Sequence, residues 1–472
     1  MSEILMQAIC SLNDHFLGYI LMVALLGAGV YFSFATRWVQ FFNPAQLRDL
    51  LTNRTHKKDH ISSFQAFAIS TASRVGTGNI AGVALAITLG GPGAVFWMWL
   101  IAVFGAASSF VESTLAQVYK VPTAGHFRGG PAYYMQYALG MRKLAVAFSV
   151  IITLTFAFTF NSVQANTIAQ SLHTTFAWPT VITGVLVTVL TAIIIFGGLR
   201  RIARFSAVIV PIFALGYIFI TLAVVLLNLP KLPGVLALIF TDAFSWHNVA
   251  GGTIGATVMM GARRGLFSNE AGMGSAPNAA ATANTSHPAK QGYVQAFGVF
   301  VDTLLICSCT AFIVLLSDYQ AANAQGIALT QWALTSELGT AGNYFLTASV
   351  LLFAFTSIIG NYYYGQANVQ FLTTGKQTMR LFRLGVCGMI FLGAVAKLEL
   401  VWNLADLFMT VMALMNLYAI FRLRRQALAV LADYRNQKAQ GKDPVFRPDT
   451  VACVGPTYAW HTQKDAKTEI AK

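Results

Sequence analysis

The feature that most limits how this chain can fold is its near-continuous succession of apolar runs. Each is about 20 residues long, enough to cross a ~30 Å hydrocarbon core as a helix. Of 472 residues only 10% are charged and 56% are hydrophobic, too little charge to cover a soluble domain of this size. Within lipid every backbone N–H and C=O must be paired inside the protein, which leaves helices or closed barrels. The short alternating segments of a barrel are absent. The expected class is an all-α polytopic membrane protein.

Apolar windows place about eleven transmembrane helices, at 14–36, 63–90, 93–119, 144–171, 179–197, 203–228, 248–272, 291–317, 341–372, 380–397 and 400–421. With the N-terminus outside, the segments left on the cytoplasmic side hold 26 of the 31 Lys and Arg, and the outside segments hold only Lys231 and Lys397. That asymmetry fixes the expected orientation, and it makes the net charge of +14 a topological signal rather than a nucleic-acid footprint. Glu3 and Asp14 replace the basic start of a signal peptide, so the first span is expected to stay. The tail from Arg422 is basic and is expected to run on as a surface helix to about Tyr434, loosely ordered beyond. Neither the Cys residues (10, 307, 309, 387 and 453) nor His173 and His247 show metal-ligand spacing, and the cysteines read as packing.

Two spans break the rules of a simple membrane helix. The second carries Arg74, Gly76, Thr77, Gly78 and Asn79 at mid-membrane, and the seventh carries Arg263, Arg264, Asn269, Glu270 and Gly272. Each charge there costs roughly 2.5–3.5 kcal/mol unless it faces protein or a water-filled cavity. The segments share Arg-x4-Asn-x-Ala-Gly, a weak match in itself, since Asn248-x-Ala250-Gly251 repeats its last three letters. Position gives it weight. Five spans separate the copies, so they cross in opposite directions, and spans two to six and seven to eleven form two five-helix units of inverted topology (63–230 and 231–421). The first span and its loop (1–62) precede them and the tail (422–472) follows. Interrupted helices at matching places in two inverted halves point to a transporter's midplane site. Unwinding frees amides that suit a carboxylate and carbonyls that suit Na⁺ or an ammonium group. A zwitterion plus a sodium ion fits that inventory, and no other cofactor is expected.

At these residues the chain resembles the alanine/glycine:cation symporter family, of the sodium:alanine symporter type. The resemblance rests on Val75–Ala84, on Phe127-Arg128-Gly129-Gly130-Pro131 running to Met135, on Val163-Gln164-Ala165-Asn166 and on Phe267–Pro277. It implies a LeuT-like 5+5 fold preceded by one extra helix, in a bacterial inner membrane, importing a small neutral amino acid such as alanine or glycine with Na⁺. By resemblance, Gly76, Thr77, Gly78 and Asn79 hold the substrate carboxylate, Asn269 and Gly272 face it, and Gln164 lines the pocket. Thr356 and Ser357 would bind Na⁺ together with the backbone of Ala72, Val75 and Phe353. The family's Trp before Tyr-Tyr-Tyr-Gly and Glu after it are here Asn361 and Gln366, which implies a pocket of altered size or polarity.

Of the remaining intramembrane charges, Asp302 is expected to pair with Arg74 or Arg264, and Glu270 is the first acidic residue to consider for cation coupling. Glu112 reads first as an interface residue. Coupling to H⁺ instead of Na⁺ is the alternative, and a channel or sensor a weaker one. No catalytic or nucleotide-binding motif suggests an enzyme.

Overall fold

The computed structural model describes residues 17–41, 61–123, 126–196, 199–245 and 253–460; Cys10, His247, the Asn248 repeat and the end of the tail lie outside them. In chain order the helices are α1 (Gly18–Ala35), α2 (Ser63–Arg74), α3 (Val83–Gly90), α4 (Ala94–Val118), α5 (Pro131–Tyr137), α6 (Arg142–Ile152), α7 (Asn161–Phe176), α8 (Thr180–Ile195), α9 (Leu199–Leu227) and α10 (Leu232–Ala243). They continue with α11 (Thr253–Asn269), α12 (Ala276–Ala280), α13 (Pro288–Phe300), α14 (Ser308–Leu316), α15 (Ile327–Leu372), α16 (Lys376–Val395), α17 (Leu398–Arg422), α18 (Arg424–Ala439) and α19 (Pro448–Val451). A short hairpin, β1 (Val121–Thr123) with β2 (His126–Arg128), precedes α5.

Among the described residues seven helices are long and apolar enough to cross a membrane, eight when Pro211–Leu227 and Leu229–Ala243, bent by 81°, count as one more span. The other three expected spans correspond to shorter pieces, for identifiable reasons. Span 63–90 is split between α2 and Gly78–Gly90, span 179–197 is the 16-residue α8, and span 248–272 is the 17-residue α11. Positive φ at Gly339 (68°) likewise divides α15, so only its later part matches the expected span 341–372.

Three wide π-helical turns interrupt the long helices, at Gly78–Gly82, Thr153–Phe160 and Val301–Cys307. Such turns shift side chains out of helical register and often mark functional sites. Here the second leads into Gln164 and the third carries Asp302 and Thr303. The start of α2 is fixed by a capping box: Gln65 N–H donates to Ser62 Oγ (3.1 Å) and Ser62 N–H to Gln65 Oε1 (3.0 Å).

The core has two main parts. α7, α8, α15 and α16 share one apolar cluster, including Ile168, Val187, Ile358 and Val386. α4 packs on α1, α11 and α13 within the larger cluster. Leu186, Leu190, Phe219, Leu226, Leu381 and Leu384 remain exposed, an apolar belt suited to hydrocarbon.

The expectation of a loosely ordered tail is corrected through residue 460. Asp433 meets His287 (3.1 Å), Lys290 donates to Asp443 (2.6 Å), Tyr119 OH to Val454 O (2.8 Å) and Trp460 Nε1 to Gln117 O (2.9 Å). Buried Lys120 lies over the Phe127 ring at 4.1 Å and the Trp460 ring at 4.8 Å. These partners are spread over distant loops, which composition does not reveal.

Burial pushes the His287 imidazole well below its ordinary range, with Asp433 opposing that shift only in part. The unfolded chain therefore takes up a proton near pH 6.5 that the folded chain refuses, so stability is full above that pH and falls as pH drops. Thermal unfolding in detergent should show a midpoint that falls between pH 7 and 5, and His287→Asn should flatten that slope.

Candidate functional site

The site starts where α2 stops. Val75 caps the helix with ψ of 90°, so the amides of Gly76 and Thr77 leave the helical ladder. Both find side-chain oxygens: Gly76 N–H donates to Asn79 Oδ1 (2.9 Å) and Thr77 N–H to Gln164 Oε1 (3.0 Å). On the other side of the break, Ser357 Oγ on α15 reaches the carbonyls of Ala72 (2.9 Å) and Val75 (3.2 Å). Three hard oxygens thus converge, the donor type an alkali cation prefers. Thr356 is equally buried, but its hydroxyl turns back to Phe353 O in its own helix (2.9 Å).

Gly76 is the hinge between these two halves. A Cβ there would lie 2.3 Å from Ser357 Oγ and 2.9 Å from Gln164 Oε1, so no side chain fits without moving one of them. Gly78 in turn lies against the Phe267 ring. The Thr77 hydroxyl is buried without a partner.

Ser73 Oγ lies 2.6 Å from Glu270 Oε1 and 2.7 Å from Asn361 Oδ1. One hydroxyl proton cannot serve two acceptors, and turning the Asn361 amide lets its nitrogen donate to Ser73 while Ser73 donates to Glu270. In either orientation one end of the buried Asn361 amide is unpaired. Gln366, the other departure from the family pattern, is only partly buried and its Oε1 is also unpartnered.

Asp302 connects the two breaks. Its carboxyl accepts from Asn79 Nδ2 (2.7 Å), Ser268 Oγ (2.6 Å) and Thr303 Oγ1 (3.1 Å), while Thr303 in turn accepts from Asn269 Nδ2 (3.2 Å). Cys307 Sγ, read from sequence as packing, sits in this cluster 3.0 Å from Ser268 Oγ. The expected pairing of Asp302 with an arginine is therefore corrected. Arg264 is held by Asp406 and stacks over Trp402 (4.5 Å), within a Phe160–Phe267–Trp402 aromatic group. Arg74 donates to Gln295 O (3.2 Å) and Ser109 Oγ (3.4 Å) and forms no direct ion pair among the described residues.

The second break lies next to Asn269, where the polar stretch of the sequence places it. Arg263 and Arg264 belong to the continuous α11, and the chain leaves the helix after Asn269, with positive φ at Glu270 (58°), Gly272 (80°) and Gly274 (88°). The amides freed there are already taken. Glu112 Oε1 accepts from Gly272 N–H (3.2 Å), and Oε2 from Gly274 N–H (3.0 Å) and Asn416 Nδ2 (2.7 Å). Gly272 points at Ser108 and Leu417 rather than at Gly76–Asn79, and Asn269 Oδ1 caps the Ala271 amide (3.0 Å). The structure thus brings together Ala72, Val75, Gly76, Thr77, Asn79, Gln164 and Ser357, and leaves Gly272 outside. Ser73 and Cys307 are residues to which the sequence reading gave no role at the site, and Glu112, read first as an interface residue, is buried at the second break.

Two helix breaks joined by a buried polar network, inside a bundle of apolar helices, define a multi-span membrane transporter. A family model described as "Sodium:alanine symporter family" matches residues 2–448, and the chain belongs to that family. It is 49% identical to "Probable sodium/glutamine symporter GlnT" of Bacillus subtilis, over 99% of this chain and 98% of that one. It is 46% identical to "Amino-acid carrier protein AlsT" of the same species (98% and 99%) and 36% identical to "Sodium/alanine symporter AgcS" of Methanococcus maripaludis (88% and 93%). Among solved structures, a mutant manganese transporter of Eremococcus coleocola matches with a TM-score of 0.54 at 14% identity, covering 91% of this chain and 92% of that one, a likeness of fold alone.

Removing the Glu112 carboxyl leaves three buried donors unpaired, each costing about 1–3 kcal/mol. Glu112→Ala should therefore lower the thermal midpoint far more than Glu112→Gln, which keeps one acceptor. Equal midpoints for the two variants would show that the carboxyl does not hold the break.

Proposed function

We propose that the protein imports a small neutral amino acid by symport with Na⁺, through the break at Gly76–Asn79. The observation that carries this reading is the single hinge at Gly76, with two side-chain amide oxygens on its N–H side and an oxygen cluster at Ala72, Val75 and Ser357 on the other. A substrate carboxylate would replace Gln164 at the Thr77 amide, helped by the unpaired Thr77 hydroxyl, because a charge-assisted hydrogen bond is roughly twice as strong as a neutral one. Na⁺ would take the two carbonyls and Ser357, with Thr356 rotating away from Phe353 to join them. Binding of either ligand then orders the same hinge, and linkage requires each to raise the affinity of the other. Arg74, Glu270 and Asp302 act as the charged frame around the hinge, while Arg264 with Asp406 closes one side of it.

This reading includes eleven spans, with 63–230 and 231–421 as inverted five-helix repeats of the LeuT-like kind after one extra helix. It places the protein in a bacterial inner membrane with the N-terminus outside and the C-terminus in the cytoplasm. One protomer contains the whole site. Alanine and glycine suit the close approach to backbone that Gly76 and Gly78 permit. The unpaired end of the Asn361 amide favours a second substrate, glutamine, whose side-chain amide both donates and accepts and so pairs with either end.

Protein in liposomes should accumulate labelled alanine or glutamine only under an inward Na⁺ gradient, and an unlabelled competition panel ranks the two. Uptake driven equally by a proton gradient without Na⁺ would transfer the coupling to H⁺. Ser357→Ala should raise the half-saturating Na⁺ concentration about tenfold, the equivalent of one lost hydrogen-bond-sized contact. An unchanged Na⁺ dependence would move the cation site elsewhere.

A further inference from the structure

A polar concavity lies away from the breaks, where α15 turns into α16. It has a volume of about 420 Å³ and is lined by Arg128, Lys376, Arg380 and Arg383, together with Gln370 and Thr373. Four cationic side chains share it, and among the described residues no carboxylate lines it or pairs with any of the four. Like charges gathered this closely repel unless an anion comes between them.

The surroundings indicate what carries that anion. Lys376, Arg380 and Leu384 recur every four residues and so lie on one face of α16. Leu384 is 64% exposed, Leu381 63%, and further along Leu392 is 55% exposed. An added Cβ at Gly388 between them would meet nothing within 4 Å, so this face of the helix is open. Arg383 lies over the ring of Phe196, itself 58% exposed, at 4.9 Å. The basic concavity is therefore bordered by exposed apolar side chains along α16 and at Phe196. A free phosphate ion would use the first part only, whereas a phospholipid uses both.

We propose that this concavity binds the phosphate group of an anionic phospholipid, with the acyl chains lying along Leu381, Leu384 and Leu392. Arg383 Nε also donates to Tyr362 OH (3.0 Å), the residue next to Asn361 and five beyond Ser357. A lipid held here braces the α15 segment that carries the cation cluster against α16. The binding claim stands without the transport reading; only the bracing effect depends on it.

The test uses the full chain in phosphatidylcholine nanodiscs with and without phosphatidylglycerol, with retained lipid counted by native mass spectrometry. Phosphatidylglycerol should be retained by the wild-type protein and by the exposed-charge control Arg425→Gln/Lys442→Gln. Lys376→Gln/Arg380→Gln should lower that retention by about thirtyfold, since each of the two basic residues near a membrane surface contributes roughly 1 kcal/mol. Equal retention by that variant and the wild type overturns the proposal. Displacement of the lipid by inorganic phosphate overturns the lipid source and assigns the concavity to the free ion. Retention unaffected by inorganic phosphate supports the lipid.

Discussion

The structure depends on how two stretches of unwound backbone are satisfied in the buried interior of an apolar bundle. Amides freed from a helix in an apolar bundle must find an acceptor, and each one left unpaired costs several kcal/mol. The two breaks meet this demand differently. At the second, Glu112 fills the turn from another helix, and the positive φ values at Gly272 and Gly274 bring both amides onto one carboxyl group. At the first, the acceptors are the neutral amide oxygens of Asn79 and Gln164. A carboxyl group in the protein makes a permanent joint, while a neutral side-chain oxygen gives way to a stronger anionic acceptor. That difference explains why ligand binding is proposed at one break only.

Asp302 makes the two breaks a single unit. It holds Asn79 beside the first and Ser268 and Thr303 beside the second, so a continuous set of hydrogen bonds runs from one break to the other. The π-helical turn at Val301–Cys307 presents Asp302 and Thr303 side by side toward these partners. A transporter needs such a device, because the site must register its ligands and pass that information to the helices that open and close.

Much of this was legible in the sequence because bilayer physics is strict. Charge-poor runs of fixed length marked the helices, and the cost of Arg74 and Arg264 in mid-span marked the elements that carry breaks. The positions of side chains relative to one another were not legible. The second break falls next to Asn269, inside the polar stretch that marked it, but the roles of Arg263 and Arg264 were not legible: they belong to the helix before the break, and Arg264 pairs there with Asp406 from a distant span. Glu112 was read as interfacial because its partners, Gly272, Gly274 and Asn416, are more than a hundred residues away. The tail looked loose by composition, but Trp460 and Asp433 find partners on α4 and next to α13. Period and hydropathy report the direction in which a helix faces, not which partner it meets.

The central claim is that one hinge, Gly76, serves amino acid and cation together. Equilibrium binding of labelled amino acid across a Na⁺ titration, on purified wild-type and Gly76→Ala protein, tests it most directly. A methyl group there collides with both Ser357 and Gln164, so the account predicts that Gly76→Ala folds and inserts but loses amino-acid affinity and its Na⁺ dependence together. Retention of Na⁺-dependent binding at wild-type affinity in that variant would contradict the account.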